Sequence, residues 1–337
     1  MSDVQDGLAL VKAGPGVEDT RVTTVPTPRP SAGQALVDVL GCGLCGSDVH
    51  AWRGDDGYGW VRTPVVLGHE VVGRVSAVGP GVDPSWVDRL VVPVAIVGCG
   101  TCSLCSAGHR QLCAEREVLG LSFDGGLARQ LVVDADRLVP VPPGIPARRA
   151  VLTEPLSVAL HAVDLVGDVR GRPVVVSGPG PIGLLSAWLL HNRGADVTLL
   201  GIERDEVVRM PAARALGLRT VSRADDLPRA VEGWVEASGS GAALDLALRT
   251  LPPKRRCVVV ALFGSVPTFD VNLMVRKELE VVGSYSSVRE DYVDALEALA
   301  AAEGIEDVVV TGFMLSDAVA ALEATASGAA VKAVVLP

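Results

Sequence analysis

The chain has 337 residues and a formal net charge of −10, and 49% of its residues are hydrophobic but only 4% are aromatic. This length suits two domains, and an aliphatic core favours buried parallel strands covered by helices. The acidic balance, without a long Lys/Arg run, argues against binding to nucleic acid or to an anionic membrane surface.

Targeting and membrane signals are also missing from the sequence. No run of about 18 uncharged apolar residues occurs, so no membrane-spanning helix is predicted. Met1–Gly7 is polar and acidic and lacks the basic and apolar regions of a signal peptide. The seven cysteines include CxxC spacings that favour zinc thiolates over disulfides, which predicts a reducing, cytoplasmic setting.

The first 150 residues contain short β-branched runs between glycines and prolines, which predict the strands of a β-rich domain. The predicted strands are Ala35–Leu40, Val65–Val78, Arg89–Val94, Ala128–Val133 and Arg137–Val141. Prolines concentrated between positions 140 and 146 predict that a domain boundary follows.

Two motifs in this region carry residue types that bind metals and transfer protons. They supply Cys45, Ser47, Asp48, His50, His69 and Glu70. A thiolate, an imidazole and the adjacent carboxylate of Glu70 would leave one zinc position open, as Lewis-acid catalysis requires. Ser47 and His50 could pass a proton from an alcohol to solvent, because imidazole titrates near neutrality. Asp48 could fix the ring of a ligating histidine.

A second cysteine-rich segment has a different composition. Its four cysteines, spaced x2, x2 and x7, are Cys99, Cys102, Cys105 and Cys113. Four thiolates this close suit a tetrahedral structural zinc site and leave no open position for chemistry. The sequence therefore predicts two zinc ions per chain, one catalytic and one structural.

From about Glu154 the pattern changes to alternating strands and helices, which predicts a doubly wound parallel sheet. The predicted strands are Pro173–Ser177, Asp196–Leu200, Trp234–Ala237, Arg256–Leu262 and Glu278–Gly283. The predicted helices are Pro181–Asn192, Glu206–Leu216 and Ala242–Leu251. The remainder, from Asp291, predicts a helix, a strand, the helix Ser316–Ala326 and the closing strand Val331–Leu336.

A glycine-rich loop joins the first of these strands to its helix. It reads G-P-G-P-I-G and comprises Gly178, Pro179, Gly180, Pro181, Ile182 and Gly183. Such glycines permit a tight turn and a close approach of backbone to a pyrophosphate, which the helix N-terminus also attracts. Ser238, in a turn after a later strand, is a further candidate cofactor contact.

The choice between NAD and NADP depends on the residues at the end of the second strand. An acid there binds the ribose 2′-hydroxyl of NAD, whereas an arginine there binds the 2′-phosphate of NADP. A strand ending at Glu203 favours NAD, whereas one ending at Gly201, with Arg204 nearby, allows NADP. Glu203 and Asp205 would both repel a phosphate, so the sequence leans to NAD.

Five motifs in order give the chain a family resemblance. The two metal motifs, the four-cysteine segment, Glu154-Pro155-Leu156 and the glycine loop resemble those of zinc-dependent medium-chain dehydrogenases, in the polyol, sugar and threonine dehydrogenase branch. The resemblance implies a GroES-like catalytic domain (1–150) with a zinc lobe (99–113), a Rossmann domain (151–288) and a C-terminal segment (289–337) that returns to the catalytic domain.

The same resemblance implies roles for individual residues. Cys45, His69 and Glu70 match the catalytic zinc ligands, and the four cysteines match the structural lobe. Glu154 falls where simple alcohol dehydrogenases place a cysteine ligand and polyol dehydrogenases a glutamate, so it joins the candidate ligands and argues against an ethanol-type activity.

The implied activity is hydride transfer between a nicotinamide cofactor and a secondary alcohol or ketone, such as a polyol, sugar, cyclitol or amino alcohol. One alternative is a carbonyl, enoyl or quinone-type reductase with dispensable catalytic zinc, and another is a non-catalytic binding protein that retains the fold. The resemblance also implies a homodimer or homotetramer, joined near Glu278–Gly283.

Overall fold

The structure is a computed structural model that describes residues 7–337. The segment 1–7, which was predicted not to be a signal peptide, therefore lies outside the described residues except for Gly7. The described chain divides into two compact units. The first comprises residues 7–154 and 288–337, and the second comprises residues 155–287.

The N-terminal part of the first unit consists mainly of short strands. They are β1 (Gly7–Lys12), β2 (Thr20–Val25), β3 (Gln34–Gly43), β4 (Val65–Val66), β5 (Glu70–Val78), β6 (Leu90–Pro93), β7 (Ile96–Val97), β8 (Glu117–Val118), β9 (Gln130–Asp134) and β10 (Leu138–Pro140). The helices of this part are α1 (Gly46–Arg53), α2 (Ser103–Ser106) and α3 (Ala147–Ala150).

The second unit alternates helices and strands. Its helices are α4 (which begins in the first unit, Thr153–Val166), α5 (Pro181–Asn192), α6 (Arg209–Ala215), α7 (Gly241–Thr250) and α8 (Val271–Lys277). Its strands are β11 (Pro173–Ser177), β12 (Asp196–Leu200), β13 (Arg219–Val221), β14 (Gly233–Glu236), β15 (Arg256–Val259) and β16 (Glu280–Gly283). They form a parallel sheet in the order β13-β12-β11-β14-β15-β16, which confirms the predicted doubly wound architecture.

The C-terminal part of the chain belongs to the first unit. Its elements are α9 (Arg289–Ala300), α10 (Ile305–Val309), β17 (Val310–Met314), α11 (Ala318–Ser327) and β18 (Lys332–Leu336). Strand β18 pairs antiparallel with β3 and parallel with β17, so it lies inside the main sheet, whose order is β10-β6-β5-β3-β18-β17. The last strand therefore contacts the strand that leads to the first metal motif.

Two predicted elements are interrupted in the structure, and both interruptions lie at candidate site residues. The single strand predicted over Val65–Val78 is wrong, because Gly68 has a φ of 96° and separates β4, which pairs with β1, from β5, which pairs with β3 and β6. The helix predicted over Glu206–Leu216 is also wrong at its start. A 3-10 turn, Glu203–Glu206, comes first, and the carboxylate of Asp205 accepts a hydrogen bond from the backbone of Ile202.

Candidate metal centres and dinucleotide site

The loop between β3 and α1 positions the first metal motif. The backbone N–H of Cys45 donates to Asp48 Oδ2 over 2.9 Å, which holds the thiol at the start of the helix. The other oxygen of Asp48, which is fully buried, lies 3.5 Å from Nδ1 of His69. A carboxylate beside one ring nitrogen leaves the second nitrogen for a metal, as in many carboxylate–histidine–zinc sites.

Strand β5 begins with Glu70, which lies opposite Gly43 at the end of β3. A Cβ at Gly43 would overlap the Glu70 carboxylate, so glycine is required there for a close approach. The ligand atoms of Cys45, His69 and Glu70 lie within 4.8 Å of one another, and His69 and Glu70 are buried. A sulfur, an imidazole and a carboxylate oxygen in this arrangement fit a zinc ion with one position left open.

Electrostatics support this description of the cluster. Burial lowers the pKa of His69, but Asp48 and Cys45 outweigh burial and hold it well above its usual value. The Nδ1 of His69 and Oδ1 of Asp48 are buried without a hydrogen-bond partner. A thiol and an imidazole held next to each other, with a buried carboxylate behind the ring, are a donor set that a zinc ion fits.

A lysine that belongs to none of the sequence motifs lies at this cluster. Lys332, the first residue of β18, is 2% exposed, and its Nζ donates to both carboxylate oxygens of Glu70 over 2.6 and 2.8 Å. Burial lowers the pKa of Lys332, but Glu70 and then Cys45 outweigh it, so the pKa is raised and the group is an ammonium. The sequence feature that could have indicated this residue is that it is the only lysine within the otherwise apolar strand sequence Val331–Leu336.

Glu154 lies in the first turn of α4 and is 9% exposed. Burial raises its pKa to about 7, with an opposing effect from His69 and a reinforcing one from Glu70. The group of ligand atoms within 4.8 Å, searched over the described residues, contains Cys45, His69 and Glu70 but not Glu154. Glu154 is thus electrostatically coupled to the cluster without being one of its three close donors.

The candidate proton-transfer residues lie on α1. Ser47 is half-buried, and His50 has a side chain 42% exposed. The Nδ1 of His50 lies 2.7 Å from Asp55, and its ring stacks on Tyr58, whose ring in turn stacks on Trp60. The imidazole is therefore held on one side while part of it faces solvent.

The four cysteines of the lobe converge as their spacing predicts. Their sulfur atoms all lie within 4.8 Å of one another, and none forms a disulfide. Cys102 and Cys113 have sulfurs 3.8 Å apart, and those of Cys99 and Cys105 are 4.0 Å apart. A tetrahedron with zinc–sulfur bonds of about 2.3 Å has edges of about 3.8 Å, so the lobe fits one zinc ion. Hydrogen bonds from Thr101 lower the pKa of Cys99 to about 6, which favours its thiolate.

The glycine loop lies in the second unit beside a cavity of about 440 Å³, which Gly178 and Gly180 line together with Ser238. Gly178 has a φ of 94°, and a Cβ there would lie 2.6 Å from the backbone of Ser238, so both its conformation and its surroundings require glycine. Gly180 precedes α5, whose first turn contains Pro181, Ile182 and Gly183.

A buried carboxylate shapes the Ser238 turn. Glu236, at the end of β14, is fully buried and accepts hydrogen bonds from the backbone N–H groups of Ser238 over 2.8 Å and Gly239 over 3.3 Å. These bonds hold the turn that faces the glycine loop. The sequence pattern indicates Ser238 but gives no signal for the glutamate that positions it.

Charged residues line the other end of the cavity. Strand β12 ends at Leu200, and Arg204, Asp205 and Arg209 line the cavity, whereas Glu203 is exposed and does not. Asp205 is buried and lies 3.6 Å from Arg209. One of the two arginines is therefore already partnered by an acid.

None of the helices formed by the described residues is long and apolar enough to cross a membrane. Comparison with known proteins places the sequence in context. Residues 31–143 match the family model for the alcohol dehydrogenase GroES-like domain, and residues 147–336 match the model for the glucose dehydrogenase C-terminus.

Individual relatives match over most of the chain. A sorbitol dehydrogenase of Halalkalibacterium halodurans is 32% identical, with 98% of this chain and 99% of the relative covered. An L-threonine 3-dehydrogenase of Pyrococcus horikoshii is 30% identical, with 82% of each chain covered. The crystal structure of 2R,3R-butanediol dehydrogenase from Bacillus subtilis is 26% identical, has a TM-score of 0.87, and covers 98% of this chain and 99% of its own.

Proposed function

Because this chain belongs to the zinc-dependent medium-chain dehydrogenases, in the polyol and threonine dehydrogenase branch, we propose that its substrate is a polyol, sugar, cyclitol or amino alcohol. The chain is an NAD(P)-dependent oxidoreductase that acts on CH–OH donors. A zinc-independent reductase and a non-catalytic binding protein are not favoured by these relationships. The first unit corresponds to the catalytic domain of this proposal, and the second to the dinucleotide-binding domain.

The convergence of Cys45, His69 and Glu70, with Asp48 behind His69, carries the proposal. Zinc held there would act as a Lewis acid that stabilises negative charge on the substrate oxygen as hydride leaves the carbinol carbon. Glu154 contributes a further carboxylate to this site, and its burial and its coupling to His69 and Glu70 support that role.

Ser47 and His50 carry the proton that the alcohol loses. The hydroxyl of Ser47 would accept this proton and His50 would receive it, and the ribose of a bound cofactor would supply a further hydroxyl for the relay. The hydrogen bond of His50 to Asp55 orients the ring, and its partial exposure lets it deliver the proton to solvent. A bound nicotinamide cofactor would supply the hydride acceptor, so that both the two electrons and the proton lost by the alcohol are accounted for.

The four-cysteine lobe holds the second zinc ion in this proposal, which makes two per chain. Gly178 and Gly180, which line the cavity, together with the N-terminus of α5, would hold the dinucleotide through its pyrophosphate. NAD is the proposed cofactor, because the buried acid Asp205 lines the cavity, already partners Arg209 and would repel a 2′-phosphate there. Strand β12 ends at Leu200 and Glu203 does not line the cavity, so the acid predicted at Glu203 does not support this choice. Arg204 is the residue that would favour NADP.

The proposed assembly is a homodimer or homotetramer joined at the outer strand β16. This strand is at the end of the sheet order, and exposed apolar side chains occur at Leu262, Val266, Val271 and Val275 in the same unit. An open sheet edge and exposed apolar side chains both favour cover by another copy of the chain. A cytoplasmic location is proposed from the seven free cysteines, six of which carry the CxxC spacings or the lobe.

A substrate panel tests the function. Polyols, amino alcohols and sugars are offered separately with NAD and NADP, and the absorbance of reduced cofactor is followed while zinc is counted by elemental analysis. We expect about two zinc ions per chain and a higher kcat/KM with NAD. Turnover that persists with at most one zinc ion would support the zinc-independent reductase instead. Failure to bind either cofactor would support the binding protein.

A further inference from the structure

Lys332 is a buried cation that shares a partner with the proposed metal site. It lies 2% exposed at the start of β18, where its Nζ also donates to the carbonyl oxygen of Leu44 over 3.0 Å. Both oxygens of Glu70 lie within 2.8 Å of the same Nζ, and Glu70 is 1% exposed. Because a buried ammonium is costly unless it is paired, Glu70 is the group that allows a lysine at this position.

The same carboxylate is one of the three close donors of the cluster. Zinc binds carboxylate oxygens at about 2.0–2.2 Å, so a zinc ion on Glu70 and the ammonium of Lys332 would share its lone pairs at short range. Like charges this close in a buried site repel each other strongly. The positive charge of Lys332 therefore opposes the binding of a metal ion by Glu70.

From this geometry we infer that Lys332 is a positioning residue that weakens the hold of Glu70 on the metal, so that this coordination position stays exchangeable. The inference rests on the proposed function, because it assumes zinc at Cys45, His69 and Glu70. When the cluster holds no metal, Lys332 keeps the buried carboxylate compensated and in place. When metal is present, the lysine makes Glu70 the weakest of the three ligands.

The test replaces the ammonium with an apolar side chain of similar length, Lys332→Met. Zinc release to a chelator is timed for the full-length protein, and the ion lost is assigned by its absence from Cys45→Ala. We expect zinc to leave Lys332→Met about tenfold more slowly than the unaltered protein, because repulsion is removed and Glu70 is freed. The visible spectrum of the Co²⁺-loaded variant should also change, since Glu70 then binds the metal more closely.

Lys12→Met is the matched control. Lys12 is also buried in the first unit, 3% exposed, but its Nζ donates to backbone carbonyls of Pro15, Gly16 and Trp52. This substitution should lower stability and leave both zinc release and the Co²⁺ spectrum unchanged. A merely structural role for Lys332 would instead loosen the zinc, which is the opposite of the expected result.

A second comparison covers the case in which Lys332→Met does not fold. Glu70→Gln with Lys332→Met removes both charges of the buried pair, which proteins tolerate better than the loss of one. Zinc release from this double variant should be slower than from Glu70→Gln alone, because the repulsion is removed, but by clearly less than tenfold, because no carboxylate at position 70 is freed to bind the metal more closely. A tenfold difference between them, or faster or unchanged release in a folded Lys332→Met, would overturn the inference.

These outcomes are separate from a failure of the proposed function. If Cys45→Ala and the unaltered protein hold the same amount of zinc, the cluster binds none and the proposed function fails first. If they differ by about one ion and Lys332→Met leaves release and spectrum unchanged, only the role of Lys332 is wrong.

Discussion

The two candidate metal centres of the first unit are built in opposite ways. All ligands of the lobe come from residues 99–113, and their spacing alone brings the sulfurs within 4.8 Å. The cluster at Cys45 combines the start of a helix with the start of a strand, and it pairs Glu70 with a lysine 262 residues away. A local site closes around its metal, whereas a site assembled from distant segments can keep an open position and a competing charge.

The largest expected effect separates the two centres by chemistry. Cys45→Ala should lower turnover by about a thousandfold, because the loss of the thiolate removes Lewis-acid stabilisation worth several kcal/mol. The variant should lose about one zinc ion per chain while the lobe keeps its own, as measured by elemental analysis alongside the activity assay. Activity close to that of the unaltered enzyme would contradict the zinc mechanism.

A substitution in the four-cysteine lobe should affect the structure of the lobe more than the zinc content of the Cys45 cluster. Cys102→Ala should remove the zinc of the lobe, because Cys102 also anchors Cys105 through a backbone N–H bond to its sulfur. We expect rapid proteolytic cleavage within 99–113, detected by mass spectrometry, with zinc retained at the Cys45 cluster. The comparison between the centres fails if both ions are lost together.

A buried ion pair without a metal offers a reference for Lys332 and Glu70. Arg149 and Glu306 are linked by hydrogen bonds of 2.8 and 3.1 Å, and both are buried. Burial raises the pKa of Glu306, but the hydrogen bond and charge of Arg149 outweigh it, so the pKa lies below its ordinary value of 4.5. A lowered pKa means that this pair stabilises the fold above about pH 4.5 and loses that contribution as the pH falls through the folded-state pKa.

Glu306→Gln should therefore reduce the unfolding free energy by about 3 kcal/mol at pH 7, with little difference from the unaltered protein in strong acid. Denaturant midpoints measured from pH 7 downward check this expectation, and zinc content should not change. A difference that grows as the pH falls would have the wrong sign for this pair.

The smallest expected effect concerns the carboxylate behind His69. Asp48→Asn removes the charge that faces Nδ1 over 3.5 Å, and such changes typically weaken metal binding by about 10–100-fold. Competition with a chelator measures the loss at the cluster, and zinc in the lobe provides the internal control. Equal retention at both centres would show that Asp48 does not orient the imidazole.

Local sequence determined the features that depend on neighbouring residues. Strands β11 and β12 and helix α5 begin and end where their apolar runs and the glycine loop predict. The four cysteines are brought together by short segments, and the doubly wound sheet follows from strand–helix alternation. Each of these depends on spacing or on local backbone preferences, which are present in the sequence itself.

Tertiary structure decided the rest. The break at Gly68 depends on Cys42 and Leu127, which approach this glycine only in the fold. The 3-10 turn before α6 is instead a local cap, from Asp205 to the backbone of Ile202, that the helical pattern did not indicate. The pairing of β18 with β3 brings Lys332 to Glu70, and no sequence period links residues so far apart. Two buried charges stabilise each other only once the chain has excluded water around both, which is a property of packing and not of sequence.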